Sequence, residues 1–171
     1  MALHINGKDH VLGPADAPVE LIEYADYQCP YCQEAYYVLK KIQQEMGDNL
    51  KFVFRNFPLT ELHPDALHAA IAAEAAASQN KFWDMHDILF ENQEYLDDSY
   101  LIQYAKIIQL NVNQFEKDFG KDQYLEKIRM DSESGVQNGV EGTPAFFVNG
   151  RKYDGNWMEP GFLDYLKSFV K

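Results

Sequence analysis

The chain of 171 residues contains only two cysteines, Cys29 and Cys32, which stand three positions apart. They follow a mostly apolar segment, residues 19–24, whose composition is typical of a largely buried strand. Pro30 lies between them, and proline favours the first turn of a helix. The cysteines therefore mark a junction between a strand and a helix. A pair at positions i and i+3 in such a turn has Cα atoms roughly 5–6 Å apart, which is within the range for a disulfide.

Hydrophobic periodicity and turn residues predict the order of the other elements. Apolar residues at helical spacing fill the chain from residue 64 to residue 138. Asn149-Gly150 is a strong signal for a two-residue hairpin turn, and Asn6-Gly7 is a second candidate. In chain order, the predicted segments are a strand at 19–24, a helix at 30–46, a strand at 50–57, helices at 64–79, 82–93, 98–110, 112–119 and 123–138, strands at 145–148 and 151–153, and a helix at 160–170.

This order of elements predicts the fold class. A strand–helix–strand start and a hairpin–helix finish form the outline of an α/β thioredoxin-like fold, βαβ…ββα. The block of helices between the two parts is then an all-helical insertion domain. We expect residues 1–62 and 139–171 to form the thioredoxin-like domain and residues 63–138 to form the insertion. The length suits one domain that carries a large insertion.

Composition and charge exclude several classes of function. The chain has 27 acidic and 15 basic side chains, and a net charge of -12 argues against nucleic acid and anionic membranes as partners. The most apolar stretch, residues 66–77, is too short to span a membrane and is broken by His68 and Glu74. The N-terminus lacks the apolar core of a signal peptide, so we expect a cytoplasmic protein. A periplasmic or other extracytoplasmic protein whose signal peptide had been removed would have the same sequence.

The two cysteines are suited to thiol–disulfide exchange. Cys29 would stand at the N-terminus of a helix, where free N–H groups and the helix dipole stabilise a thiolate. Cys32 would lie one turn further along and be more buried. One exposed nucleophile and one resolving thiol are what exchange through a mixed disulfide requires. This chemistry needs no cofactor beyond the redox-active disulfide itself.

A different class of hypothesis is a binding module in which the CxxC pair holds zinc or copper(I). Thiolates suit both ions, and His63 and His68 could complete a set of four ligands. The gap of 30 residues between the two pairs is about twice that of a typical zinc finger, which disfavours this hypothesis. His63, His68 and His86 are better explained as surface or packing residues, so we assign no metal site. Two purely structural cysteines are a further alternative.

Two motifs resemble those of a known family. Cys29-Pro30-Tyr31-Cys32, taken with Gly142-Thr143-Pro144 late in the chain, resembles the DsbA-type branch of the thioredoxin superfamily. The resemblance covers nearly the whole chain, and the helical block matches the inserted helical domain of that family. Further segments similar to the family are residues 13–18, 56–59 and 81–86.

The resemblance implies an enzyme, a protein disulfide oxidoreductase that acts on protein or peptide thiols and disulfides together with an unknown redox partner. Pro144 would be the cis-proline that faces the disulfide, and the backbone of Thr143 would pair with an extended peptide substrate. Pro30 and Tyr31 would also lie on the substrate side. Glu23 matches a buried acid beneath the second cysteine. A raised pKa would let this carboxyl exchange a proton with Cys32 near neutral pH.

The residues between the cysteines depart from those of the strongly oxidising family members, which carry a histidine there. A neutral phenol cannot favour the Cys29 thiolate as an imidazolium does, so the pKa of Cys29 should fall less than in those members. We therefore expect a reduction potential in the glutaredoxin range, roughly -200 to -230 mV. The Pro30-Tyr31 dipeptide is itself typical of glutaredoxins. Oxidase, reductase and isomerase activities all stay open, as does a deglutathionylating enzyme that acts on glutathione mixed disulfides and does not need Cys32.

Overall fold

A five-stranded mixed sheet forms the centre of the structure, a computed structural model that describes residues 2–171. The elements in chain order are β1 (His10–Leu12), β2 (Val19–Ala25), α1 (Pro30–Met46), a short 3-10 turn (Gly47–Asn49), β3 (Leu50–Asn56), α2 (Ala66–Ala77), α3 (Phe82–Glu91), α4 (Asp98–Ile107), α5 (Val112–Phe119), α6 (Asp122–Gln137), β4 (Ala145–Val148), β5 (Arg151–Tyr153) and α7 (Gly161–Lys167). The strands lie in the order β1-β3-β2-β4-β5. The predicted fold class, a thioredoxin-like fold with a helical insertion, is confirmed.

The strand β2 lies at the centre of the sheet and leads directly to the cysteines. It pairs in parallel with β3, from Val19 opposite Leu50 to Ala25 opposite Asn56, and antiparallel with β4. Helix α1 provides the crossover that joins two parallel strands. Because β2 is covered on both faces, six of its seven residues are buried, including the acidic Glu23.

Alternation along β2 sends its side chains to two separate cores. Leu21 and Ala25 pack into the larger core, which also contains both cysteines, whereas Ile22 and Tyr24 pack into a smaller core on the other face. Since residues two apart in a strand share a face, Glu23 lies on the same face as Leu21 and Ala25. The sheet therefore directs a carboxyl group towards the core that holds the cysteines.

Five helices, α2 to α6, follow β3 before the chain returns to the sheet at β4. Nine of the twelve residues of α2 are buried, because its alanines let neighbouring helices approach on nearly every side. The proposed boundaries after residues 62 and 138 fall in the loops that flank this block. Within residues 2–171, no helix combines the length and the apolar character needed to cross a membrane.

One local prediction was wrong. Asn6-Gly7 does form a turn, in which the N–H of Asp9 donates to the carbonyl of Asn6, but this turn does not join a hairpin. The strand that follows, β1, pairs antiparallel with β3 instead. Asn149-Gly150, with φ angles of 47° and 83°, joins β4 to β5 as predicted. The helix ends also lie up to three residues inside those that periodicity indicated, as at α7, which ends at Lys167.

We expect Gly135→Ala to destabilise the fold, because α6 packs on the sheet with no room for a methyl group. A Cβ at Gly135 would lie 2.8 Å from two ring carbons of Phe57 and 3.1 Å from the ring of Tyr24. The expected loss in free energy of unfolding is about 1–2 kcal/mol, since overpacking outweighs the gain in helix propensity. Chemical denaturation measures it. Gly161→Ala is the control, because nothing lies within 4 Å of its Cβ; a Gly135→Ala protein as stable as this control would contradict the packing argument.

Candidate active site

Both cysteines lie at the junction of β2 and α1, as the sequence predicts. Cys29 is the N-cap residue of α1 in an extended conformation, with Pro30 directly after it, and Cys32 lies in the first turn. The thiols are free, and Cys29 is 5% exposed whereas Cys32 is completely buried. The expectation of an exposed Cys29 is therefore wrong, because both cysteines are buried and differ only in degree.

The loop before β4 closes over Cys29. The peptide bond between Thr143 and Pro144 is cis, and the thiol of Cys29 donates to the carbonyl of Thr143 over 3.7 Å. The structure thus brings together two motifs that are 114 positions apart in the sequence. The Thr143 hydroxyl is buried and has no hydrogen-bond partner among residues 2–171. It is therefore free to turn its proton towards the sulfur when Cys29 is a thiolate.

Hydrogen bonds lower the pKa of Cys29 to about 5. The largest effect is that of the Cys32 thiol, which donates to the Cys29 thiolate; partial burial opposes it, and the Thr143 side chain and the N–H groups of Tyr31 and Cys32 add to it. From the sequence alone, the helix N-terminus is the one expected cause of a lowered pKa for Cys29. The structure retains those N–H groups but gives the largest part to the neighbouring thiol. At neutral pH Cys29 is therefore mainly a thiolate.

The surroundings of Cys32 act in the opposite direction. Burial is the main cause that raises its pKa well above the usual value, and the hydrogen bond to Cys29 and the negative charges of Glu23 and Cys29 raise it further. The backbone N–H of Asp26, 3.5 Å from the sulfur, lowers it. Cys32 therefore keeps its proton while Cys29 is ionised, which gives the two thiols different chemistry.

The carboxyl group of Glu23 is buried, and among residues 2–171 no basic side chain forms an ion pair with it. Burial raises its pKa from 4.5 to about 8, and the charge on Cys29 raises it too. One carboxyl oxygen, Oε1, has no hydrogen-bond partner within residues 2–171. The side chain is thus neutral at pH 7 and titrates close to physiological pH, as the sequence argument expects of a proton carrier.

The remaining predicted residues form the exposed rim of the site. Pro30 is exposed and the side chain of Tyr31 is 58% exposed, so the residues between the cysteines face solvent. Beside Pro144 lies an open cavity of about 290 Å³, whose wall includes Tyr153 and Trp157. An aromatic wall next to the backbone of this loop offers an extended chain both apolar contact and hydrogen bonds.

Several polar residues that the sequence analysis did not single out hold the segment around the cysteines. The side-chain amide of Gln93 donates to the carbonyls of Tyr27 and Cys29 over 2.9 and 2.7 Å. Gln28 and Asp65 exchange two hydrogen bonds. Gln93 and Asp65 come from the helical insertion, 37 to 66 positions along the chain from their partners. No local sequence signal reveals such pairs.

The ligands required by the metal-binding hypothesis are not brought together. His63 Nδ1 lies 2.8 Å from a carboxylate oxygen of Asp26, and His68 Nδ1 lies 2.6 Å from one of Asp98. Across residues 2–171, no three His, Cys, Asp or Glu side chains converge in an arrangement that could hold a metal ion. His86 is buried beneath an aromatic cluster and bonds to the hydroxyl of Tyr27 at 3.0 Å.

Comparison with known sequences identifies the family. The thioredoxin family matches residues 5–168 of this chain. Curated relatives include Na(+)/H(+) antiporter NhaA 3 of Salinispora tropica, 40% identical over 86% of this chain, and Na(+)/H(+) antiporter NhaA 1 of Mycobacterium sp. (strain KMS), 39% identical over 94% of it. This chain spans only 22% and 27% of the length of those relatives.

Solved structures agree with the sequence match. A thioredoxin-like oxidoreductase from Silicibacter pomeroyi DSS-3 superposes with a TM-score of 0.84 at 25% identity, over 95% of this chain and 92% of that one. Oxidised BdbD from Bacillus subtilis gives 0.81 at 27% identity, over 93% and 91%. Alpha-DsbA1 from Wolbachia pipientis gives 0.83 at 23% identity, over 97% and 94%, and supports the fold. The chain belongs to the thioredoxin family, and its fold is DsbA-like.

We expect Glu23→Gln to stabilise the reduced protein at neutral pH but not at low pH. The folded state keeps the proton of Glu23 up to about pH 8, whereas the unfolded state releases it near pH 4.5. Stability therefore falls as pH rises between these values. Glutamine does not ionise, so the variant avoids this loss of stability. Its free energy of unfolding at pH 7 should be roughly 2–3 kcal/mol higher. Urea denaturation at several pH values measures the difference; a gain that is constant with pH would contradict the raised pKa.

Proposed function

We propose that this chain catalyses thiol–disulfide exchange on protein or peptide substrates, with Cys29 as nucleophile and Cys32 as resolving thiol. The contrast between the two thiols carries this proposal. The pKa of Cys29 is lowered to about 5, whereas burial raises that of Cys32 well above its usual range. At neutral pH one sulfur is ready to attack and the other waits as a thiol.

The reaction proceeds through two exchanges of a sulfur–sulfur bond. In the reducing direction, the Cys29 thiolate attacks one sulfur of a substrate disulfide, that bond breaks, and the other substrate sulfur leaves as a thiolate. Cys32 then loses its proton and attacks the sulfur of Cys29. The mixed disulfide breaks, the second substrate thiol leaves, and two electrons have passed to the substrate. The oxidising direction follows the same steps in reverse, and the reduction potential determines which direction prevails.

Glu23 is the proposed proton carrier for the second exchange. Cys32 can attack only after its proton has left, and no solvent reaches its sulfur directly. The carboxyl of Glu23 lies on the same face of the sheet, and its pKa of about 8 lies close to ambient pH. The carboxylate form of Glu23 accepts the proton of Cys32, and a pKa of about 8 keeps this minor form accessible near neutral pH. The protonated carboxyl returns the proton in the reverse direction.

The rim around Pro144 is the proposed substrate side. An extended peptide would pair with the backbone of Thr143 and contact the exposed Pro30 and Tyr31. The aromatic wall of the adjoining cavity supports this assignment, because it lies beside the same loop. Glutathione is a second candidate substrate, because the Pro30-Tyr31 dipeptide between the cysteines is typical of glutaredoxins.

Substitution of the cysteines tests the roles assigned to them. Cys29→Ser should abolish exchange, whereas Cys32→Ser should keep the first attack and accumulate mixed disulfides, because no resolving thiolate remains. Non-reducing gels and mass spectrometry detect the trapped adducts, and alkylation near neutral pH should label Cys29 first. Preferential labelling of Cys32 would reverse the roles. Full turnover of glutathione mixed disulfides by Cys32→Ser would favour a deglutathionylating enzyme instead.

Glu23→Gln should slow the second exchange about tenfold or more and leave the first nearly unchanged, because the carboxyl serves Cys32 alone. Rapid mixing with a model peptide disulfide separates the two phases. Glu20→Gln is the matched control, since Glu20 lies on the same strand but pairs with Lys51 at the surface of the sheet, 3.0 Å away. Equal slowing of both phases, or of neither, would count against a proton carrier.

A further inference from the structure

Asp26 connects both cysteines to a part of the fold that the proposed mechanism does not use. It is 1% exposed and lies three positions before Cys29, directly after β2. Its backbone N–H donates to the sulfur of Cys32 over 3.5 Å, and its backbone carbonyl accepts from the N–H of Cys29 over 3.1 Å. The orientation of the backbone at Asp26, which includes two adjacent peptide units, therefore affects the surroundings of Cys32 directly.

The side chain of Asp26 fixes that orientation. Its Oδ1 accepts from the N–H of Gln28 at 2.7 Å, and its Oδ2 accepts from the N–H of Leu59 and from Nδ1 of His63, both at 2.8 Å. Leu59 and His63 belong to the loop between β3 and α2. A buried carboxylate keeps its position only while its donors are present, because an unpaired buried charge is costly. His63 is the one side-chain donor of the three.

We infer that Asp26 and His63 are positioning residues for the attack of Cys32 on the mixed disulfide. His63 holds the carboxylate of Asp26, the carboxylate holds the backbone, and the backbone N–H stabilises the Cys32 thiolate as it forms. This inference rests on the proposed function, since it assumes that Cys32 is the resolving thiol. Neither residue touches the reacting sulfur atoms with its side chain.

The hydrogen bond from the Asp26 N–H to Cys32 is important because the other effects on the pKa of this thiol oppose its ionisation. In the mixed disulfide, burial is the main effect that opposes ionisation of Cys32, and Glu23 opposes it further when its carboxyl is ionised. The N–H of Asp26 is the contact that favours it. Because a hydrogen bond to a charged acceptor is stronger than one to a neutral acceptor, the N–H acts mainly when the thiolate forms. Weakening it should slow the second exchange and spare the first.

The first variant to compare is His63→Leu, which removes the donor to Asp26. Its second exchange should be about tenfold slower, because a charge-assisted hydrogen bond is disturbed, while its first attack changes by less than about twofold. The pH profile of the second exchange should move upward by about one unit. His63→Asn places an amide N–H near the position of Nδ1 and should restore both the rate and the profile.

The control is His68→Leu. His68 also pairs with an aspartate, Asp98, but their side chains are 49% and 63% exposed. Both exchanges should keep their normal rates in this variant. Asp26→Asn is the second test if His63→Leu does not fold, because it keeps the size of the side chain while its single oxygen cannot accept both from Gln28 on one side and from Leu59 and His63 on the other. It should show the same selective loss.

The possible outcomes separate this inference from the proposed function. Equal slowing of both exchanges in His63→Leu, or normal rates in a folded His63→Leu protein, would overturn the positioning role. Failure of His63→Asn to restore the pH profile would also contradict it, because only the hydrogen bond is preserved there. If the unmodified protein showed no second exchange at all, the proposed function itself would fail.

Discussion

Water reaches the two sulfur atoms of this site unequally, and the chemistry depends on that difference. Cys32 lies in the first turn of α1 with no exposed surface, whereas Cys29 caps the same helix and keeps some contact with solvent. A neutral thiol is buried at little cost, but a thiolate is not. The sheet imposes this arrangement, because β2 lies between two other strands and ends directly beneath the helix. The same burial keeps Glu23 neutral at pH 7.

The helical insertion contributes to the site as much as the sheet does. Gln93, Asp65 and His63 all come from residues 63–138, and each bonds to the short segment between β2 and α1. Backbone carbonyls in that segment would otherwise need other partners, since buried polar groups are costly to leave unpaired. Because both the sheet and the insertion hold the segment between β2 and α1, this segment keeps its conformation while the two cysteines exchange disulfide partners.

Features with local causes could be predicted from the sequence, and features with distant causes could not. The cysteine junction and the hairpin at Asn149-Gly150 follow from residues that are neighbours in the chain. The prediction of a hairpin at Asn6-Gly7 was wrong, because β1 pairs with β3, some forty residues later in the chain. In the sequence, nothing distinguishes His63 from an ordinary surface residue. Only the fold shows that its Nδ1 lies within hydrogen-bond distance of the carboxylate of Asp26. The position of Thr143 and Pro144 opposite Cys29 came from resemblance to a family, since no pattern within one chain joins residues so far apart.

The hydrogen bonds from Gln93 to the carbonyls of Tyr27 and Cys29 limit how far this protein can be shortened. A chain that joined β3 to β4 by a brief linker would retain every strand of the sheet and both thiols. The carbonyls would then face water and the carboxylate of Asp26 would lose its side-chain donor. Such a minimal domain would preserve the outline of the redox fold while its active-site turn became mobile. The helices are therefore better understood as part of the smallest working unit than as an accessory.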